Sequence, residues 1–188
     1  MQEIEIEFKN LLTKVQYEEL RNDYFEGHSP KKQINYYFET DLFSLKKHLM
    51  ALRIREKGSS FVATLKQPSK EGLLETHDVL TEKEATQWFN NEVYLKENIE
   101  RQLNHLNIDQ SDIKYKGKLT TYRLEKIVSD HTLVLDYSTY NGHEDYELEI
   151  ESPSYEQGEA FLKEILQRYS IKSTKTENKI QRFFNTVS

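Results

Sequence analysis

The chain contains no cysteine. Disulfides and thiolate metal sites are therefore excluded, and a reducing compartment is an adequate home. Glycine and proline are scarce, with 6 and 3 in 188 residues, which argues against a low-complexity or disordered chain. No apolar run approaches the roughly 20 residues needed to span a bilayer. Met1-Gln2-Glu3-Ile4-Glu5 lacks the basic segment and apolar core of a signal peptide. The expectation is a soluble cytoplasmic protein. GxGxxG and GxxxxGK[ST] motifs are absent, so a dinucleotide fold or a P-loop is not expected. The six histidines (His28, His48, His77, His105, His131, His143) show no HExxH or similar zinc spacing and read as surface or loop residues.

Charge is abundant. Acidic residues number 32 and basic residues 26, a net charge of -6 that disfavours non-specific binding to nucleic acid or anionic membrane. With 31% charged and 36% hydrophobic residues, either the core is small or many charges sit away from a thin surface layer. The 12 Tyr and 9 Phe partly offset that by burying large areas each. The length fits one domain, 1–188, and no linker divides it.

Residues 2–9 alternate strictly, placing Ile4, Ile6 and Phe8 on one face of a strand and Glu3, Glu5, Glu7 and Lys9 on the other. Further strands are predicted over 33–39, 51–56, 61–66, 74–80, 119–128, 131–138 and 145–151, with turns at Gly58-Ser59-Ser60 and Asn141-Gly142. Helices are predicted over 13–25, from the capping box Thr81-Glu82-Lys83-Glu84, over 92–106, from a second box at 154–157, and over 180–187. About eight strands with short turns, flanked by helices, indicate an antiparallel α+β protein or a barrel with helical flanks.

The polar faces of these strands carry the chemistry. Glu5 and Glu7 lie on the first, Arg53 and Arg55 on the third, and Thr64 and Lys66 on the fourth. Arg123 and Asp136 follow, then Glu147, Glu149 and Glu151. Taken singly, each such face is what the wet side of an antiparallel sheet looks like. Three carboxylates at i, i+2 and i+4 repel one another, however, unless a cation sits among them. Converging carboxylates suit hard divalent ions, and arginines suit phosphate oxygens.

Glu5-Ile6-Glu7-Phe8-Lys9 resembles the ExExK signature of the CYTH family, named for class IV adenylate cyclases and thiamine triphosphatases. The resemblance continues in order through Arg53-Ile54-Arg55, Thr64-Leu65-Lys66, Arg123, Leu135-Asp136 and Glu147-Leu148-Glu149-Ile150-Glu151 to Asn178-Lys179-Ile180-Gln181-Arg182. Asn178 departs from the pattern, standing where serine is common, and residues 92–106 carry no signature.

The resemblance implies an eight-stranded antiparallel β-barrel forming a charged triphosphate tunnel, with helices around it. It implies Mg²⁺ or Mn²⁺ held by Glu5, Glu7, Glu147 and Glu149. Phosphate oxygens would be held by Lys9, Arg53, Arg55, Lys66, Arg123, Lys179 and Arg182. Glu5, Glu7, Lys9 and Asp136 would form the catalytic set, Asp136 as a ligand or as the orienter of a neighbouring base. Glu75 and Glu151 would line the same site in roles left open. The implied activity is hydrolysis of inorganic triphosphate or of an organic one such as thiamine triphosphate or a nucleoside triphosphate. Adenylate cyclisation and non-catalytic nucleotide or polyphosphate binding remain alternatives. The expected partner is a small-molecule triphosphate, neither nucleic acid nor membrane, and oligomeric state stays open.

Overall fold

The computed structural model describes residues 1–70 and 72–187. The chain divides into two compact units, one of residues 1–4 and 33–119, the other of residues 5–32 and 120–188. Among the described residues there are nine strands and six α-helices, and the expected antiparallel α+β architecture is present.

In the first unit, β1 (Gln2–Glu5), β3 (Lys31–Thr40), β4 (Ala51–Lys57), β5 (Ser60–Pro68), β6 (Leu73–Leu80) and the start of β7 (Ile113–Val128) lie in the order β1-β6-β5-β4-β3-β7. Pairs β3/β4, β4/β5 and β5/β6 are antiparallel. Period-2 alternation gives this sheet one apolar face. Phe38, Leu52, Ile54, Ala63 and Leu65 pack there against Trp88 of α3 (Glu82–Phe89) and Ile99 and Leu103 of α4 (Glu97–Asn104). Thr81 and Glu84 form the predicted capping box of α3. A one-turn helix, α2 (Ser44–Lys47), has no counterpart in the sequence reading. Its first amides are held by the buried Glu39, which accepts from the N–H groups of Leu45 and Lys46, each at 2.9 Å.

In the second unit the rest of β7 pairs with β8 (His131–Tyr140), β8 with β9 (His143–Glu151), and β9 with β2 (Glu7–Leu12), all antiparallel. Asn141 and Gly142 join β8 to β9 with φ of 45° and 78°, the doubly left-handed hairpin turn that this dipeptide favours. The apolar face carries Leu124, Leu133, Leu135, Leu148 and Ile150. It is covered by α1 (Lys14–Phe25) and α5 (Tyr155–Arg168) through Leu20, Phe25 and Ile165. Gly158 lets α5 approach: a Cβ there would meet Phe8 at 2.3 Å.

Two expectations are corrected. The single strand over 2–9 is two strands, so the count is nine rather than eight. The chain leaves strand geometry at Ile6, whose carbonyl accepts from Ser152 at 3.0 Å, and the two pieces pair with different neighbours, β1 with β6 and β2 with β9. The helix expected over 92–106 is confined to Glu97–Asn104. Before it, Asn91 sits at φ 65°, the Leu95 N–H donates to the Gln110 side chain at 2.9 Å, and Trp88 Nε1 donates to the Tyr94 carbonyl at 3.2 Å. These partners satisfy the backbone outside a helix, while Val93 still reaches the core. No helix among the described residues is long and apolar enough to cross a membrane.

Candidate active site

Strand register assembles the charged face of the second unit. Arg123, Asp136 and Glu147 form one cross-strand row, and Lys9 lies opposite Glu149. Glu7 lies opposite Glu151 in the next row. Asp136 and Glu147 have no exposure, and Glu149 is 6% exposed. Ligand-capable oxygens of Asp136, Glu147 and Glu149 lie within 4.8 Å of one another.

Three carboxylates so close and so deeply enclosed require internal cations. Arg123 donates to both Asp136 oxygens, at 2.8 and 2.7 Å, and to Glu149 Oε2 at 2.7 Å. Lys179 donates to Asp136 and, at 3.1 Å, to Glu149. Its Nζ stands 3.2 Å from Glu147 Oε1. Arg182 donates from Nε to Asp145 at 3.0 Å and brings Nη1 to 2.6 Å from Glu147 Oε2. Lys9 is paired with Glu7.

Lys179 and Arg182 come from α6 (Lys179–Phe184), and the segment before it is fastened to β2. Asn10 Nδ2 donates to the Lys172 carbonyl at 3.2 Å, Asn10 Oδ1 accepts from the Thr174 N–H at 2.8 Å, and Thr176 Oγ1 accepts from the Leu11 N–H at 3.3 Å. Asn178 caps α6 in a reciprocal box with Gln181. The departure from serine at this position therefore preserves the cap.

These contacts pull the ionisations apart. Burial alone would discharge Asp136, but Arg123 and Lys179 hold its carboxyl below the ordinary range. Glu149 faces the same burial and is held well below by Lys179 and Arg123. Glu147 goes the other way: burial, resisted by Lys179 and reinforced by Glu149, pushes it up to about 7. Its oxygens have Lys179 and Arg182 at ion-pair distance. Glu151, at the strand end and 36% exposed, is pushed up to about 7 by burial and by Glu5. Burial works against the charge on Lys9, yet Glu7, Glu149 and Glu147 outweigh it and raise the pKa. The same holds for Lys179 with Asp136, Glu149 and Glu147.

The first unit carries a basic face. Arg53, Thr64 and His77 form one cross-strand row, Ala51, Lys66 and Glu75 the next, and Arg55, Val62 and Val79 a third. Arg55 Nε donates to Asn35 at 3.1 Å. Lys66 pairs with Glu75, and Arg53 Nη2 stands 3.9 Å from the same carboxylate.

Within each unit the expected residues come together: Arg53, Arg55 and Lys66 with Glu75 on the strands of the first, and in the second Glu7, Lys9, Arg123, Asp136, Glu147 and Glu149 by strand register, joined by Lys179 and Arg182 from α6. Glu5, half-buried, ends β1. The sequence reading missed two members. Asp145 extends the period-2 acidic series of β9 by one step and anchors Arg182. His77 continues the period of Glu75 on β6, a signal discarded with the zinc-spacing argument.

Three enclosed carboxylates with oxygens within 4.8 Å of one another are an all-oxygen donor set suited to a hard divalent cation. A sheet with this register, bearing acidic and basic clusters on its polar faces, defines a class of charged antiparallel α+β folds.

The chain belongs to the CYTH domain family, whose model matches residues 3–184. A Bacillus subtilis protein named “Putative triphosphatase YjbK” is 41% identical over 184 residues, covering 97% of this chain and 95% of the relative. The crystal structure of a “putative adenylate cyclase (bh2851)” from Bacillus halodurans superposes with a TM-score of 0.93 at 44% identity, covering 97% of this chain and 98% of that one. The Hippeastrum protein HpAC1 shares the fold with a TM-score of 0.78 at 21% identity, covering 98% and 96%.

Proposed function

We propose that the protein is a triphosphatase, hydrolysing a phosphoric anhydride bond of inorganic triphosphate or of an organic triphosphate such as thiamine triphosphate or a nucleoside triphosphate, with Mg²⁺ or Mn²⁺. The observation that carries this reading is the enclosed triad Asp136, Glu147 and Glu149, whose ligand-capable oxygens lie within 4.8 Å of one another. The Bacillus subtilis relative, named as a triphosphatase, supports it.

Glu5, Glu7, Glu147 and Glu149 would hold the cation. When bound, such an ion polarises phosphate oxygens and lowers the pKa of bound water. The remaining work is positioning and charge stabilisation, which is most of what phosphoryl transfer demands. Arg53 and Arg55, two residues apart on one face of β4, present planar donor forks to phosphate oxygens, and Lys66 adds a point charge. Lys9 keeps its proton because Glu7, Glu149 and Glu147 surround it, and so stays cationic toward the substrate. Asp136, bonded to Arg123 and Lys179, would either join Glu147 and Glu149 as a ligand or orient those two cations.

The test is incubation of the purified protein with inorganic triphosphate, thiamine triphosphate and ATP, each with Mg²⁺ or Mn²⁺, following phosphate, pyrophosphate and cyclic nucleotide. Metal-dependent phosphate release is expected, falling at least about 100-fold in Glu7→Gln and Glu149→Gln, since loss even of a group that merely orients a ligand costs about 10–100-fold. The Bacillus halodurans neighbour favours a second reading, adenylate cyclisation, which cyclic AMP with pyrophosphate would establish. Tight triphosphate binding without any turnover overturns both.

A further inference from the structure

We propose that Glu3, Glu75 and His77 form a further cation site, one that takes Zn²⁺ or another borderline divalent transition ion rather than Mg²⁺. All three residues belong to the first unit, and the proposal does not depend on the triphosphatase reading. Glu75 and His77 are two apart on β6, so their side chains leave the same face of the sheet. β1 lies beside β6: the His77 N–H donates to the Met1 carbonyl at 2.8 Å, and Gln2 Nε2 donates to Thr76 Oγ1 at 2.9 Å. This pairing brings Glu3 to the same place, with Oε1 3.0 Å from His77 Nε2. Glu75 Oε2 is 3.6 Å from that nitrogen. One ligand atom from each of the three residues lies within 4.8 Å of the others.

Hydrogen bonding alone does not account for this convergence. A single Nε2–H serves one acceptor, and 3.6 Å is too long for Glu75 to be a second. An ion accounts for all three groups. Donors about 2.1 Å from one ion lie about 3.0 Å apart at right angles and about 3.4 Å apart at tetrahedral angles. The 3.0 and 3.6 Å between Nε2 and the two oxygens match neighbouring donors of that kind. The partner for the other ring nitrogen is in place too. Thr64, opposite His77 on β5, has Oγ1 3.0 Å from Nδ1. An Nδ1–H donated to that hydroxyl fixes the tautomer and turns the Nε2 lone pair toward the carboxylates, as in histidines that bind metals. Lys66 pairs with the other Glu75 oxygen, Oε1, and Arg53 Nη2 stands 3.9 Å from Oε2. Glu75 can therefore keep its lysine while Oε2 meets the ion. The Glu75 and His77 side chains are 6% and 14% exposed and that of Glu3 is 59% exposed, so an ion enters past Glu3 onto two enclosed ligands. An imidazole nitrogen with two carboxylates favours Zn²⁺ over Mg²⁺, which prefers oxygens alone. Three protein donors leave a fourth position for water.

The experiment is titration of the full chain with Zn²⁺ against a chromogenic zinc chelator, with no phosphate compound present and with Mg²⁺ in excess to fill oxygen-only sites. Zn²⁺ is expected to bind the wild type, and to bind Glu3→Gln and His77→Gln at least about tenfold more weakly, since loss even of a group that orients a ligand costs about 10–100-fold. Glu3 is the exposed member, so Glu3→Gln tests the site in a protein whose enclosed residues are untouched. In the wild type, the Nε2 resonance of His77 read by nitrogen NMR is expected to shift on addition of Zn²⁺, while Nδ1 stays in its N–H form. This readout needs no substituted protein to fold. Wild-type affinity in both variants, His77 resonances unmoved at zinc saturation, or displacement of the zinc by Mg²⁺ overturns the proposal; zinc held only at other histidines gives the first two of these results.

Discussion

Asp136→Asn tests whether the acidic cluster is held by internal counterions. Asp136 is wholly enclosed, receives two bonds from Arg123 at 2.8 and 2.7 Å, and is contacted by the Lys179 ammonium. Asparagine keeps the shape, removes the charge and places an NH₂ group where an oxygen accepted. Breaking a buried ion pair by removing one partner costs about 3–5 kcal/mol, because the other charge stays uncompensated. Here Glu149 continues to accept from both Arg123 and Lys179, so the low end applies, about 3 kcal/mol. For a chain of this size, roughly 2–4 °C per kcal/mol lowers the melting temperature by about 6–12 °C. The assay is urea denaturation in chelator, where the midpoint should fall at unchanged slope. The double variant Asp136→Asn with Arg123→Met should lose less than the sum of the two single losses, since both single changes break the same Arg123–Asp136 pair. A loss below about 1 kcal/mol, or full additivity in the double variant, refutes the counterion argument.

Two further outcomes follow from single groups. Glu84 is lowered to about 2, first by the Thr81 backbone N–H and then by Lys96 and the Thr81 hydroxyl. Its folded pKa lies below the unfolded value, so its stabilisation is present above about 4.5 and disappears as pH falls from there toward 2. In thermal melts, the gap between wild type and Glu84→Gln should therefore close over that range, and a constant gap would contradict it. Glu147, pushed up to about 7, binds its proton more tightly folded than unfolded. The contribution of Glu147 to metal-free stability must then decline as pH rises from about 4.5 through 7. Glu147→Gln should gain on the wild type at pH 8 relative to pH 5 in chelator, and equal effects at the two pH values would remove burial as the cause.

Strand alternation made the sheets and the faces of their charged residues legible, because the period of two is local and the turns at Asn141-Gly142 and Gly58-Ser59 are explicit in the sequence. Register was not legible. That Lys9 lies opposite Glu149, and Arg53 beside Thr64 and His77, depends on pairings between segments up to 140 residues apart. The break at Ile6 was invisible for the same reason: alternation continues across it, and only the change of partner strand ends one element and starts the next. Likewise 92–96 has helical apolar spacing, and long-range acceptors such as the Gln110 side chain decide against the helix. The zinc-spacing argument sets His77 aside and Asp145 belongs to no motif, whereas the significance of both lies in the neighbours that the fold supplies.

The internal ion pairs bear on selectivity under the proposed reading. Lys66 and Arg53 already have Glu75, while Arg123 and Lys179 already have Asp136 and Glu149. In either unit a ligand cannot simply add; it must exchange with these contacts, and each exchange exposes a buried carboxylate. A single phosphate group offers too few oxygens to offset several lost pairs. In either unit, a polyphosphate accompanied by a divalent cation would compensate both halves of a separated pair, its oxygens standing in for the carboxylate and its cation for the lysine or arginine. Enclosed ion pairs of this kind therefore disfavour mono-anions through the cost of separating charges that are satisfied without a ligand. The same reasoning places the discriminating power in Glu75 and Asp136, the carboxylates that hold the cations, as much as in the cations themselves.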